Sequence, residues 1–168
     1  MLVLSLNTMV LFDFKSTEDI KQLRVVNDGV MGGKSQATFV VTAEGTGLFK
    51  GKISLENNGG FSSLRYNMET VQTKNYQKLA VRLKGDGKNY QLRIRENQSD
   101  YFSYIATFAT TGEWETIEVP LADMYPSFRG RKLDRPNYNG TSMVELTFLI
   151  ANNKAESFVL EIEHIALK

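Results

Sequence analysis

Apolar residues along this chain recur mainly at every second position, in short runs separated by turn residues, the pattern of half-buried β-strands. Val3 to Phe14 is the first run. Ser16-Thr17-Glu18-Asp19 then offers a helix cap ahead of Ile20 and Leu23, which predicts one helical turn or two. Lys34 to Thr42 is a strand closed by Glu44-Gly45-Thr46-Gly47. Leu48 to Leu55 is another, closed by Asn57-Asn58-Gly59-Gly60, and Phe61 to Tyr66 follows before a polar stretch around Glu69 to Asn75.

The clearest hairpin signal comes next. Lys78 to Lys84 and Asn89 to Glu96 flank Gly85-Asp86-Gly87-Lys88, and both arms alternate with period two. Asp-Gly at the tip suits a tight turn with positive φ. If 84 pairs with 89, then 82 faces 91, 80 faces 93 and 78 faces 95. Lys78, Arg82, Lys84, Gln91, Arg93 and Arg95 then share one sheet face, and Lys78 opposite Arg95 is an unfavourable like-charge pair unless an anion or acidic partner lies between. Tyr101 to Thr110 and Trp114 to Leu121 read as the next pair, around Thr111-Gly112-Glu113, with Trp114 in the core. A long loop runs from Tyr125 to Gly140, and Thr141 to Ala151 and Ser157 to Leu167 close the chain. In the last strand Phe158, Leu160 and Ile162 share one parity while Ile165 and Leu167 take the other. That slip predicts a bulge near Glu163 or His164.

About ten strands and no long helix predict an all-β fold, a sandwich or jelly roll of two antiparallel sheets with one short helix near the N-terminus. The 168 residues read as one domain, 1–168. Apolar residues at 42% and charged residues at 23% exclude a disordered chain, a collagen or a coiled coil. The net charge of +1 gives no global pull toward nucleic acid or anionic lipid. With no cysteine, thiol nucleophiles and cysteine metal sites are excluded; with one histidine, His164, so is a His-pair metal site. No GxSxG supplies a serine nucleophile. We therefore expect no enzyme, no catalytic residue, no cofactor and no metal ligand set, with a loop calcium left open. The opening MLVLSLNTMVLF lacks a basic n-region and a cleavage site and is too short to span a bilayer. It reads as a strand of a cytoplasmic protein, peripheral to a membrane only through a partner; a weak signal peptide is the alternative.

Four segments are candidates for binding. Asn27-Asp28-Gly29-Val30-Met31-Gly32-Gly33-Lys34-Ser35 is glycine-rich without the spacing of a nucleotide loop. It either presents amides and the Asn27 and Asp28 side chains, with Met31 and Ser35, to a ligand, or forms a tight crossover in which these side chains bond their own backbone. Asn57-Asn58-Gly59-Gly60-Phe61 is either a rim loop, offering Asn58 and Phe61, or a plain turn. The third is the basic face of Arg93 and Arg95, joined by Arg65. The fourth is Phe128-Arg129-Gly130-Arg131-Lys132-Leu133-Asp134-Arg135, in which Arg129 and Arg131 could meet phosphate or an acidic protein surface. Aromatic residues are too few around it for an RNA site, and nucleic acid is not expected. His164 reads as structural.

In sequence order, these strings resemble the complex I intermediate-associated protein 30 family. The similarity lies in Asn27, Asp28, Val30, Met31, Gly32, Gly33 and Ser35, then Phe49 and Gly51, then Gly59, Gly60, Phe61, Ser63 and Arg65. It continues through Gly85, Asp86, Gly87 and Tyr90, Gly112, Trp114 and Pro120, Arg129, Gly130 and Arg131, and Phe158, Leu160 and Ile162. Leu23 stands where the family often has tryptophan. The resemblance implies a galactose-binding-like jelly roll and a non-enzymatic role as an assembly factor or chaperone, with respiratory complex I subunits or assembly intermediates as partners. Of the other readings, a carbohydrate- or small-ligand-binding module is the second.

Overall fold

A computed structural model describes residues 7–15 and 19–168 of the chain. Thirteen strands and four short 3-10 turns make up its regular structure. The strands are β1 (Met9–Asp13), β2 (Leu23–Asn27), β3 (Gln36–Val41), β4 (Gly47–Ile53), β5 (Ser62–Gln72), β6 (Lys78–Lys84) and β7 (Asn89–Arg95). They continue as β8 (Ser103–Ala109), β9 (Trp114–Pro120), β10 (Tyr125–Phe128), β11 (Arg131–Lys132), β12 (Ser142–Ile150) and β13 (Glu156–Leu167). All pairings are antiparallel. One sheet has the order β3-β4-β13-β6-β9 with β1 alongside β13, and the other runs β11-β10-β8-β7-β12-β5-β2.

The predicted two-sheet, all-β architecture is what forms, with thirteen strands where about ten were expected. The helix predicted near the N-terminus is a single 3-10 turn, Asp19–Gln22. Its predicted cap at 16–18 and the first residues of the Val3 to Phe14 run lie outside the described residues. β5 continues through the polar stretch to Gln72, and the expected loop at 125–140 contains β10 and β11.

The core lies between the sheets. Phe49, Leu79, Val81, Leu83, Phe158, Leu160 and Ile162 come from the six-stranded sheet, and Leu64, Leu92, Ile94, Leu146 and Phe148 from the seven-stranded one. Removing such large side chains from water is the main force holding the sheets together, about 1.5–3 kcal/mol for each one fully buried. In β13 the pairing with β6 shifts register between Ile162 and His164. This bulge at Glu163 turns Ile165 and Leu167 back to the core, where both are buried, as their change of parity predicts.

Two predicted hairpins do not form. β6 pairs with β13 and β9, whereas β7 pairs with β12 and β8, so Gly85–Lys88 crosses from one sheet to the other. Thr110 anchors the crossing: its hydroxyl accepts from the amides of Asp86 (3.3 Å) and Gly87 (3.1 Å) and donates to the Lys88 carbonyl (2.8 Å). Asp86 then accepts from the Tyr90 hydroxyl at 3.0 Å and from the amide of Val159, in the opposite sheet, at 2.9 Å. Lys78 therefore never faces Arg95. It lies opposite Pro120 and donates to Glu118 at 2.6 Å, while Arg95 belongs to the other sheet. β8 and β9 likewise occupy different sheets, and Trp114 opens β9 at the surface, 37% exposed, with the Arg82 guanidinium 6.0 Å from its ring.

Candidate binding face

The glycine-rich loop resolves into a clamp around Asp28, which is fully buried. Ser35 donates its amide at 2.9 Å and its hydroxyl at 2.5 Å, and the amides of Gly60 (2.6 Å) and Phe61 (3.2 Å) donate from the second glycine-rich loop. Burial by itself would raise the Asp28 carboxyl pKa. The hydrogen bonds from Ser35, Gly60 and Phe61 outweigh it and hold the group below the usual carboxylate value. A Cβ at Gly33 or Gly59 would run into this carboxylate, so glycine at both positions follows from close approach. Asn27 accepts from the Ser62 hydroxyl at 2.5 Å, which joins the same two loops once more. Asp28, Ser35 and Asn27 thus have their hydrogen bonds inside the fold. Asn58 is exposed at φ 58°, Phe61 is half-buried, and Met31 is 66% exposed beside Val30 at 76%.

Arg65, Arg93 and Arg95 come together, although by a route the hairpin argument did not contain. Strand register aligns Arg24 with Arg65, Arg65 with Thr147, Thr147 with Arg93, Arg93 with Ile105, and Ile105 with Tyr125. Their neighbours of opposite parity, Leu64, Phe148 and Leu92, fill the core, so this row lies on the outer face of the seven-stranded sheet. Five strand spacings of about 4.8 Å make it about 24 Å long. One step along the strands, Asn67, Glu145 and Arg95 form a second row. One step the other way lie Ser63, Leu149, Gln91 and Thr107.

The charge on this face is unbalanced. Glu145 is buried and lies 3.6 Å from Arg95. Arg93 donates to Gln91 at 2.9 and 2.6 Å, and Arg65 donates to Ser63 at 3.4 Å; neither acceptor carries charge. Loss of solvent lowers the pKa of Arg65, Glu145 partly restores it, and Arg24 and Arg95 lower it further. Loss of solvent followed by repulsion from Arg65 does the same to Arg93. The Nε of Arg95 is buried without a hydrogen-bond partner among the described residues. Below the arginines β12 is buried at every residue from 143 to 150, including the outward-facing Glu145, Thr147 and Leu149, because the long arginine stems lie over it. Cations held half out of water on uncharged hydrogen-bond acceptors are costly to the folded chain and available to an anion.

Arg129 and Arg131 stand at the edge of this sheet. β10 and β11 form a hairpin around Arg129 and Gly130, whose φ values of 48° and 78° are both positive, as a two-residue hairpin turn requires. Arg129 lies 5.2 Å from the Phe128 ring and Arg131 is exposed. Lys132 sits 5.4 Å from the ring of Tyr125, and so extends the arginine row to the sheet edge. Lys132 lay within the 128–135 candidate segment, whereas Arg24, Tyr125, Glu145 and Thr147 belong to this face and were missed from sequence. Arg24 and Glu145 had a legible signal, a charged residue inside an otherwise apolar strand; the others had none. Among the described residues no group of three or more His, Asp or Glu side chains is placed to hold a metal ion, and no helix is long and apolar enough to cross a membrane.

Fold and face together define a two-sheet β-sandwich whose seven-stranded sheet carries a cationic outer face; the sandwich itself is shared with carbohydrate-binding modules. A family 11 carbohydrate-binding module from Clostridium thermocellum, in complex with a β-1,3-1,4-mixed-linked tetrasaccharide, superposes with a TM-score of 0.69 at 18% identity, covering 95% of this chain and 94% of that one. The family 11 module of a cellulosomal cellulase of the same organism gives 0.71 at 17% identity, covering 97% and 95%. These likenesses establish a galactose-binding-like jelly roll. Residues 12–162 match the complex I intermediate-associated protein 30 (CIA30) family, and the chain belongs to that family. It is similar to mitochondrial complex I intermediate-associated protein 30 of Drosophila melanogaster, at 25% identity over 186 aligned positions that cover 96% of this chain. The chain spans 63% of the length of that relative.

Proposed function

We propose that this chain is a non-enzymatic binding module that docks on a protein partner during assembly of respiratory complex I. The docking surface is the outer face of the seven-stranded sheet together with the Arg129–Arg131 edge hairpin. One observation carries this reading: Arg24, Arg65, Arg93 and Arg95 share one sheet face, on which Glu145 pairs with Arg95. Family membership supports the assembly role, and the Drosophila relative is named for association with complex I intermediates. A cytoplasmic location, membrane-peripheral through the partner, belongs to the same reading, as does a single 1–168 domain.

The second reading, a carbohydrate-binding module, has the shared sandwich in its favour. Charge argues against it. A neutral sugar covering the row would strip water from several guanidiniums and give no compensating charge. The aromatic on the row, Tyr125, is half-buried at one end and carries Lys132 over its ring.

The test is capture from the native host with tagged chain, followed by mass spectrometry. Recovery of respiratory complex I subunits, lost on reversing Arg65 and Arg93 or Arg129 and Arg131 to glutamate, supports the reading. Equal recovery by both double variants contradicts the proposed surface. A glycan array that retains the chain, with no complex I subunit captured, favours the carbohydrate reading.

A further inference from the structure

We infer that the arginine row recognises an acidic segment of polypeptide, bound in extended form across the strands of the seven-stranded sheet. This deepens the proposed function and rests on its premise that the partner is a protein.

Three features set the chemistry of the occupant. The first is charge: Arg24, Arg65 and Arg93 lie in one register row and Arg95 beside it, with Glu145 as the carboxylate paired within this set. Groups held one strand spacing apart repel by about 1 kcal/mol even at the dielectric of water, and carboxylates placed between them relieve this. The second is spacing. Arg24 and Arg65 are on neighbouring strands, and Arg65 and Arg93 are separated by β12, so the cations occupy strand positions at 0, about 4.8 and about 14.4 Å. An extended peptide repeats its side chains on one face every two residues, about 6.8 Å. Carboxylates at alternate positions of a short acidic stretch would therefore fall between and beside these guanidiniums. A compact anion would meet one pair and leave the rest uncovered.

The third feature is the floor. Between Arg65 and Arg93 it is buried Thr147, and one step along the strands buried Leu149 lies between Ser63 and Gln91. With that floor buried, the guanidiniums are the groups that a segment crossing the strands would meet. Bases of a nucleic acid would need exposed rings to stack on, and the row offers half-buried Tyr125 at one end. Recognition of acidic segments by clustered arginines is a general mode, because each guanidinium can give a carboxylate two parallel hydrogen bonds.

The experiment measures fluorescence anisotropy of the full chain with a labelled nonapeptide of alternating glutamate and serine. Three controls accompany it: the same peptide with glutamine for glutamate, a labelled oligothymidylate, and inorganic phosphate as competitor. We expect the glutamate peptide to bind, to weaken steeply between low and physiological salt, and to lose at least about tenfold in affinity in Arg65→Gln/Arg93→Gln. Lys50→Gln/Lys52→Gln removes the same charge from the other sheet and should change affinity less than about twofold, since only general charge is lost. Arg65→Lys/Arg93→Lys keeps the charge without the planar fork and should fall between, which separates recognition from misfolding.

Equal binding of the glutamine peptide, equal losses in the two charge-matched variants, or tighter arginine-dependent binding of oligothymidylate would overturn the inference. So would complete competition by phosphate at concentrations comparable with the peptide, because the site would then be one for a compact anion. If the peptide fails to bind while complex I subunits are still captured, this inference alone falls. If the peptide binds through the row and no complex I subunit is captured, the assembly reading falls and the acidic-segment site stands.

Discussion

Ser35 donates both its amide and its hydroxyl to the carboxylate of Asp28, seven residues earlier, at 2.9 and 2.5 Å. The same carboxylate accepts the amides of Gly60 and Phe61. One buried charge thereby ties the loop after β2 to the loop before β5. Asparagine at position 28 would keep one acceptor oxygen and set an NH2, itself a donor, against donors in place of the other. We predict that Asp28→Asn destabilises the fold by about 2–4 kcal/mol, from lost charge-assisted bonds and amides left unsatisfied. Urea denaturation of the two proteins measures the difference.

The same group sets a pH dependence with a definite sign. The Asp28 pKa is lower in the folded state than in the unfolded chain, where a carboxyl titrates at about 3.9. Its contribution is fully present above the unfolded value and is lost as pH falls through the folded one. The stability advantage of wild type over Asp28→Asn should be constant from pH 7 to about 5 and shrink below about 4. Denaturation midpoints of both proteins across that range test the sign.

Asp86 and Tyr90 should prove coupled. The Tyr90 ring is buried, burial pushes its phenol up, and its hydroxyl donates to Asp86, which also accepts the Val159 amide from the opposite sheet. Tyr90→Phe should cost about 1 kcal/mol, and Asp86→Ala more, since it strands the Val159 amide and leaves the Tyr90 hydroxyl only the Val159 carbonyl at 3.3 Å. A double-mutant cycle should give a coupling of about 0.5 kcal/mol or more, and additive effects would show that the bond carries no weight.

Those two loops also mark where the sequence was legible. Alternation is local, so the all-β class, the alternating placement of Arg93 and Arg95 on β7, and the bulge that returns Ile165 and Leu167 to the core followed from residue order. Strand partnership is not local. Gly85-Asp86-Gly87 carries the signal of a tight hairpin, yet Asp86 spends its acceptors on Tyr90 and on Val159, 73 residues onward, and the chain crosses between sheets. The alignment of Arg24, Arg65 and Arg93 depends on β2, β5, β12 and β7 being neighbours, an order no spacing within the chain encodes. Asp28 is similar. Bonding inside its own loop was one of the two readings, and Ser35 supplies it, but the Gly60 and Phe61 amides come from the other loop and carried no local signal.

If the arginine row serves binding, it is carried at a cost to stability. Arg65→Met/Arg93→Met keeps the stems over β12, removes two charges and leaves the Arg95–Glu145 pair intact. The most direct measurement is the unfolding free energy of this variant and of wild type, by urea, at low and at high salt. The variant should be more stable by about 1 kcal/mol at low salt, with the gain shrinking as salt screens the arginines of the wild-type row. A variant less stable than wild type by more than about 1 kcal/mol at both salt concentrations would contradict this, and would make the row part of what holds the fold together.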